Sequence, residues 1–225
     1  MQFDPDVLVP SLIAAGLILL ISFPVHECAH AWTAWRLGDG TAKMFGRITL
    51  NPIAHFDPLG GVMLLISSVL GVGIGWAKPT PVNPANLRGR HEGAAIVAFA
   101  GPASNLVLAA LGAIPLRILL AARSGGTEIP SIVILVLVYF VVINVALLLF
   151  NLLPVPPLDG SKVLFSFMSA RQQYTWRPLL EQYGLFVFVI VAFVPFLPGG
   201  RTLFEFVFDV IGAPIVNLLV GRTVF

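Results

Sequence analysis

His26, Glu27 and His30 occur in the order His-Glu-Cys-Ala-His. On an α-helix, positions i and i+4 share a face, so the two imidazoles can meet one metal ion. Glu27, one residue along, can reach a metal-bound water as general base. This spacing points to zinc hydrolysis. The ion lowers the pKa of its water from about 16 to about 7, and the carboxylate takes the proton as a peptide carbonyl is attacked. A bland reading, two satisfied polar side chains in a helix bundle, is weakened by the surroundings, because ionisable groups inside a membrane span are costly and usually functional.

A catalytic zinc has three protein ligands and one open position. Spacing alone does not choose the third. The other histidines are His55 and His91, and the candidate carboxylates include Asp39, Asp57 and Asp159. Asp159 is the best placed, directly after an apolar run in NLLPVPPLDG, residues 151–160. Pro154, Pro156 and Pro157 forbid regular helix there, so a carboxylate can project from unwound backbone, and Gly160 allows close approach. A helix cap or a solvated loop acid is the alternative for Asp159. Ordinary loop roles suit His55 and Asp57.

The elements that must carry these residues are apolar. Of 225 residues, 57% are hydrophobic and 11% charged, and mean hydropathy is +0.93. A soluble domain carries about 25% charged residues, so most of this chain must face lipid or other apolar helices. Crossing the hydrocarbon core takes about 20 apolar residues. Such runs lie at 7–35, 93–122 and 130–153, with later ones at 183–198 and 203–221. Residues 59–77 are apolar but glycine-rich, which suits a re-entrant element that could line a water path. Within 36–58 the stretch MFGRITLNP partly alternates, which predicts a short strand or β-hairpin able to pair with an unwound substrate. The expected fold is an all-α integral membrane protein, a polytopic helix bundle of about five to six membrane segments. The β-hairpin and re-entrant element fall between the first two core helices. We read one membrane-embedded domain over 1–225, with a core at 7–165 and accessory C-terminal helices at 183–221.

The start MQFDPD is acidic and lacks the basic start of a cleaved signal peptide, so the first apolar run is expected to be retained. Lysines and arginines in short loops place 36–58 and 78–92 on the cytoplasmic side of the cell (inner) membrane, and the active site near it. The single cysteine, Cys28, excludes an intrachain disulfide. No basic patch with interleaved aromatics supports nucleic-acid binding.

HECAH in the first apolar run, GPASN opening the second and NLLPVPPLDG closing the third together resemble the site-2 protease family of intramembrane zinc metalloproteases. GRITLNPIAHFDPLGG and GWAKPTPVNP are similar to that family's loop sequences, and the resemblance covers residues 20 to 165. It implies one zinc ion per chain held by His26, His30 and Asp159, with Glu27 as catalytic base. It also implies that Asn105 and Asn151 bind substrate, Asn151 holding its backbone and Asn105 doing the same or polarising the carbonyl. The implied partner is a transmembrane protein substrate in the lipid bilayer. The chain resembles minimal members, with room for neither a PDZ nor a CBS domain. On the residues alone, each asparagine is equally suited to a helix–helix hydrogen bond. Asn144, deeper in the third run, reads as interhelical glue, and Gly101 and Pro102 as packing and helix-start residues. The competing function is a membrane metal-ion transporter or metal-binding protein, since intramembrane His and Asp also line ion paths. It gives no particular reason for a glutamate beside the first histidine.

Overall fold

A computed structural model describes residues 5–69 and 75–221. They are helical with irregular connections, and five helices are long and apolar enough to cross a membrane: Leu8–Arg36, His91–Ser124, Ser131–Leu152, Ala170–Phe193 and Leu203–Val220. The chain is a multi-pass membrane protein. The first span joins α1 (Pro5–Leu17) to α2 (Phe23–Arg36) through one π turn, Ile18–Ser22. The last joins α10 (Leu203–Val207) to α11 (Ala213–Val220) through another, Phe208–Gly212. Both π turns stand in the same register to a proline, Pro24 and Pro214. Proline has no N–H to give the carbonyl four residues back. Widening the ladder just before it, with Phe23 N–H on Ile18 O and Ala213 N–H on Phe208 O, lets each helix continue.

Between the first two long spans run three short helices, α3 (Thr41–Met44), α4 (Pro52–His55) and α5 (Pro58–Val69). The described part of α5 has 12 residues, about 18 Å of helix. The chain then returns beside it: a Cβ on Gly60 would fall 2.0 Å from the Trp76 carbonyl oxygen, and one on Gly75 would fall 2.4 Å from Leu64 Cβ. Both ends of the expected re-entrant run therefore lie side by side; its residues 70–74 are outside the described ones.

The expected β-hairpin is absent. No strand occurs among the described residues, and 46–49 form a turn and bend. The groups that a ladder would use are committed locally. Arg47 N–H bonds the Ala42 carbonyl at 2.9 Å, the buried Arg47 guanidinium donates to Ala54 O at 2.6 Å, and His55 Nε2 donates to Thr49 O at 2.9 Å. Asp57 Oδ1 accepts from Gly60 N–H at 2.9 Å, capping α5. His55 and Asp57 thus have the ordinary loop roles expected of them.

The centre of the bundle is α6 (His91–Ser124), packed on α7 (Ser131–Leu152), α2 and α8 (Asp159–Phe167). Two antiparallel helices in lipid gain little from apolar contact alone and associate where small residues let backbones approach. On α6 that role falls to Gly101, Ala109, Gly112 and Ala113, all buried. A Cβ on Gly112 would stand 2.7 Å from the Phe140 ring on α7. The fourth span, α9 (Ala170–Phe193), starts well before the apolar run at 183, because Ser169 and Gln172 form a reciprocal capping box. Asn144 is not interhelical glue: its Nδ2 donates to Phe140 O of its own helix at 2.8 Å.

Asp39, fully buried after α2, ties two loops together. Its carboxylate accepts from Thr41 N–H (3.1 Å), Thr41 Oγ (2.6 Å), Asn83 N–H (2.7 Å) and Asn86 Nδ2 (3.2 Å). Burial alone would raise its pKa, but these donors outweigh burial and hold the carboxyl below its ordinary value. Stability from a depressed carboxyl is present above the unfolded value, about 3.9, and is lost as pH falls through the native one. Hydrogen-exchange protection at the Asn83 amide should therefore hold at neutral pH and fall below about pH 4. In Asp39→Asn, protection at neutral pH should already be at least about tenfold lower.

Candidate active site

His26 and His30 occupy successive turns of α2 and point at α6. His26 lies ten residues before Arg36, the end of the helix, about 15 Å along the axis. The carboxylate comes from the opposite direction. α7 ends at Leu152, Pro154–Pro157 prevent its continuation, and Asp159 opens α8 rather than standing on unwound backbone. Gly160 makes the return tight, since a Cβ there would lie 2.3 Å from the Leu152 carbonyl oxygen.

Three atoms converge. His26 Nε2 stands 3.0 Å from His30 Nε2, and Asp159 Oδ2 stands 3.3 Å from the first and 3.0 Å from the second. All three side chains are buried. Zinc binds nitrogen and carboxylate oxygen at about 2.0–2.2 Å, which separates tetrahedral donors by about 3.3–3.5 Å. The triangle is close to that size, and two nitrogen lone pairs and a carboxylate facing one point is a donor set for a cation. Among the described residues this is the group of His, Cys, Asp and Glu able to hold a metal. His55, Asp39, Asp57 and His91 are not in it.

The supporting contacts are specific. Lys162, three residues after Asp159, holds Oδ1 at 2.8 Å and leaves Oδ2 to the triangle. His30 Nδ1 donates to the Val97 carbonyl of α6 at 2.7 Å. Asn105, also on α6, places its amide 3.2 Å from His26 Nδ1. Gly101 lies between them, and a Cβ there would fall 2.3 Å from His30 Nε2 and 2.6 Å from His26 Nε2. Gly101 and Pro102 are therefore not at a helix start; α6 begins at His91, and Gly101 is where the two imidazoles meet its backbone. The extended segment before α6 reaches the glutamate: Glu27 Oε2 accepts from Thr80 N–H at 2.7 Å, and Thr80 Oγ donates to the Glu27 carbonyl at 3.0 Å.

A cleft of about 860 Å³ opens onto this group, lined among others by Glu27, Trp76, Thr80, Asn151 and Phe188. Asn151 Nδ2 donates to Leu147 O of its own helix at 3.0 Å. Val97 gave no signal in the sequence, because it acts through its backbone carbonyl; Thr80 lies in the GWAKPTPVNP segment, but its backbone and hydroxyl contacts with Glu27 are visible only in the fold. Lys162 could have been found, since it is one helical turn from Asp159.

A family model described as Peptidase family M50 matches residues 114–197. "Putative zinc metalloprotease YwhC" of Bacillus subtilis is 37% identical over 203 residues, covering 86% of this chain and 84% of the relative. The chain belongs to peptidase family M50. "Putative zinc metalloprotease Rip2" of Mycolicibacterium smegmatis is 32% identical over 200 residues, 88% of this chain and 71% of that protein. Its Mycobacterium tuberculosis namesake is 29% identical over 182 residues, 80% of this chain and 66% of that protein. No solved structure matches. The resemblance to the site-2 protease family is borne out, and this M50 peptidase is a zinc metalloprotease.

The Gly101 contact makes a direct prediction. Gly101→Ala puts a methyl group where the two Nε2 atoms meet, and α6 backbone cannot yield as a flexible side chain would. Bound zinc, measured by metal analysis of the purified protein, should fall from about one per chain to near zero. Helix content by circular dichroism should be unchanged.

Proposed function

We propose that this protein hydrolyses peptide bonds of transmembrane substrates at a zinc centre inside the bilayer. The convergence of His26, His30 and Asp159 carries the reading. These three would hold the metal, which fits the donor set and separations above. Zinc bound there supplies Lewis acidity and lowers the pKa of water from about 16 to about 7.

Glu27 is the catalytic base. Thr80 N–H engages Oε2, so Oε1 remains to take the proton from the attacking water and later deliver it to the leaving amine. Lys162 keeps Asp159 oriented through Oδ1. Asn151, in the cleft wall with its NH2 turned back to Leu147, holds the substrate backbone through its side-chain carbonyl. A transmembrane helix buries its scissile carbonyls in its own hydrogen bonds, so the substrate must unwind to enter.

The unit performing this is one domain over 1–225, with a core at 7–165 and accessory C-terminal helices at 183–221. The site faces the cytoplasmic side of the cell membrane. The C-terminal ends of α2 and α7 and the N-terminal end of α6 meet on the side whose connections carry Lys43, Arg47, Lys78, Arg88 and Arg90, the charge bias of cytoplasmic loops.

Two variants test the assignment. Glu27→Gln should keep about one zinc per chain and reduce cleavage of a membrane-embedded substrate in proteoliposomes by at least about 100-fold. Asp159→Ala should lose zinc and cleavage together. Full cleavage by Glu27→Gln, or unchanged zinc in Asp159→Ala, would remove that residue from its role.

A further inference from the structure

Val97, Gly101 and Asn105 follow one another at four-residue spacing on α6, so they lie on one face, a turn apart. This face meets both histidines. His30 Nδ1 is 2.7 Å from the Val97 carbonyl, the paired Nε2 atoms sit over Gly101, and His26 Nδ1 is 3.2 Å from the Asn105 amide. A carbonyl can only accept. Val97 therefore fixes the His30 proton on Nδ1 and turns the Nε2 lone pair into the triangle.

His26 needs the same tautomer, because its Nε2 is the atom that meets His30 and Asp159. Its Nδ1 proton then needs an acceptor, and Asn105 is the partner beside it. As placed, the amide presents Nδ2 to this nitrogen, which sets donor against donor. Its Oδ1 is meanwhile buried without a partner. The nitrogen and oxygen of an amide exchange by a half-turn and are assigned from the hydrogen-bond network. Turned so, Oδ1 accepts from His26 Nδ1–H, and the position it leaves is one that no donor reaches. Asn105 lines the cleft beside the histidines but is 1% exposed, so the contact its side chain makes is the one with His26.

We propose that Asn105 is a positioning residue of the metal centre: its side-chain carbonyl accepts the His26 Nδ1 proton and holds the imidazole with Nε2 toward the metal. This rests on the zinc reading above and moves Asn105 from the substrate to the metal. Val97 and Asn105 are then equivalent supports, one from the backbone and one from a side chain, two turns apart on the same helix.

The test measures zinc affinity by chelator competition on the detergent-solubilised full chain, with substrate cleavage alongside. Asn105→Ala should weaken zinc by about 10–100-fold, and Asn105→Asp, of equal shape with an acceptor at either position, should bind within about threefold of wild type. A role as a donor, to substrate or to His26, predicts the reverse for Asp: lost cleavage or weakened zinc. Either result overturns the proposal, and Asn105→Asp decides it even if the alanine variant does not fold. Asn105→Ala with wild-type zinc affinity and lost cleavage also overturns it, in favour of substrate binding. Wild-type protein that binds no zinc, or His26→Ala that binds it normally, would instead sink the metal centre itself.

Discussion

Two imidazoles one turn apart on a helix can offer two nitrogens to a point, but a helix cannot supply a third ligand to that point from its own far side. The carboxylate must arrive from elsewhere, and it must arrive buried. In this protein the carboxylate that meets the two imidazoles, Asp159, is carried 129 positions beyond His30 by a helix that stops, a proline-rich turn and a helix that restarts. Everything near the site follows from that meeting. Gly160 lets α8 close onto the end of α7, and Lys162 takes the carboxylate oxygen that faces away from the histidines. Gly101 removes the side chain that would stand between α6 and the pair. A cluster of this polarity in an apolar bundle is tolerable only if each donor and acceptor is matched. Val97, Asn105, Lys162 and Thr80 are the matching groups.

The same requirement explains the proline pattern. A proline costs a helix one hydrogen bond, and in lipid no water replaces it. At Pro24 and Pro214 the ladder absorbs the loss through a π turn and the span continues. At Pro154, Pro156 and Pro157 the prolines are too close together for such a repair, and the helix ends. Pro102 and Pro115 in α6 and Pro178 in α9 are carried inside regular helix without such a turn, so single prolines are accommodated within a span and the dense run ends one. Pro24 stands one residue short of the turn that carries His26, so the widened ladder lies immediately before the site rather than within it.

Much of this was legible in the chain. The His26–His30 spacing, the carboxylate after the third apolar run and five apolar helices are all composition or periodicity, which local physics sets. The β-hairpin was misread because alternation in MFGRITLNP is the pattern of a ladder but also of a loop whose polar groups find nearby partners. Arg47 and His55 supply those partners, and neither pairing is visible without the fold. Val97 was invisible for a related reason: any residue has a carbonyl, so a support built on backbone leaves no residue-type signal. Gly101 reads as packing, and it is, but what packs against it is the pair of imidazoles, His26 and His30.

α6 shows why the site and the core are one problem. Along one stripe it carries Val97, Gly101 and Asn105 toward α2, then Ala109, Ala113 and Leu116 into the apolar core with α7 and α11. A hydrophobic drive between helices is missing in lipid, so the helix must be held by close fit. Gly101, Ala109, Gly112 and Ala113 provide that fit along its middle. The first half uses it to bring backbone against two imidazoles, and the second half uses it to fix the depth and rotation of the helix against α7. The helix that meets the two imidazoles is thus the same one that anchors the apolar interface with α7. Ala109 and Ala113 are buried in that interface, so a larger side chain at either would press on the same helix that carries Gly101 and Asn105.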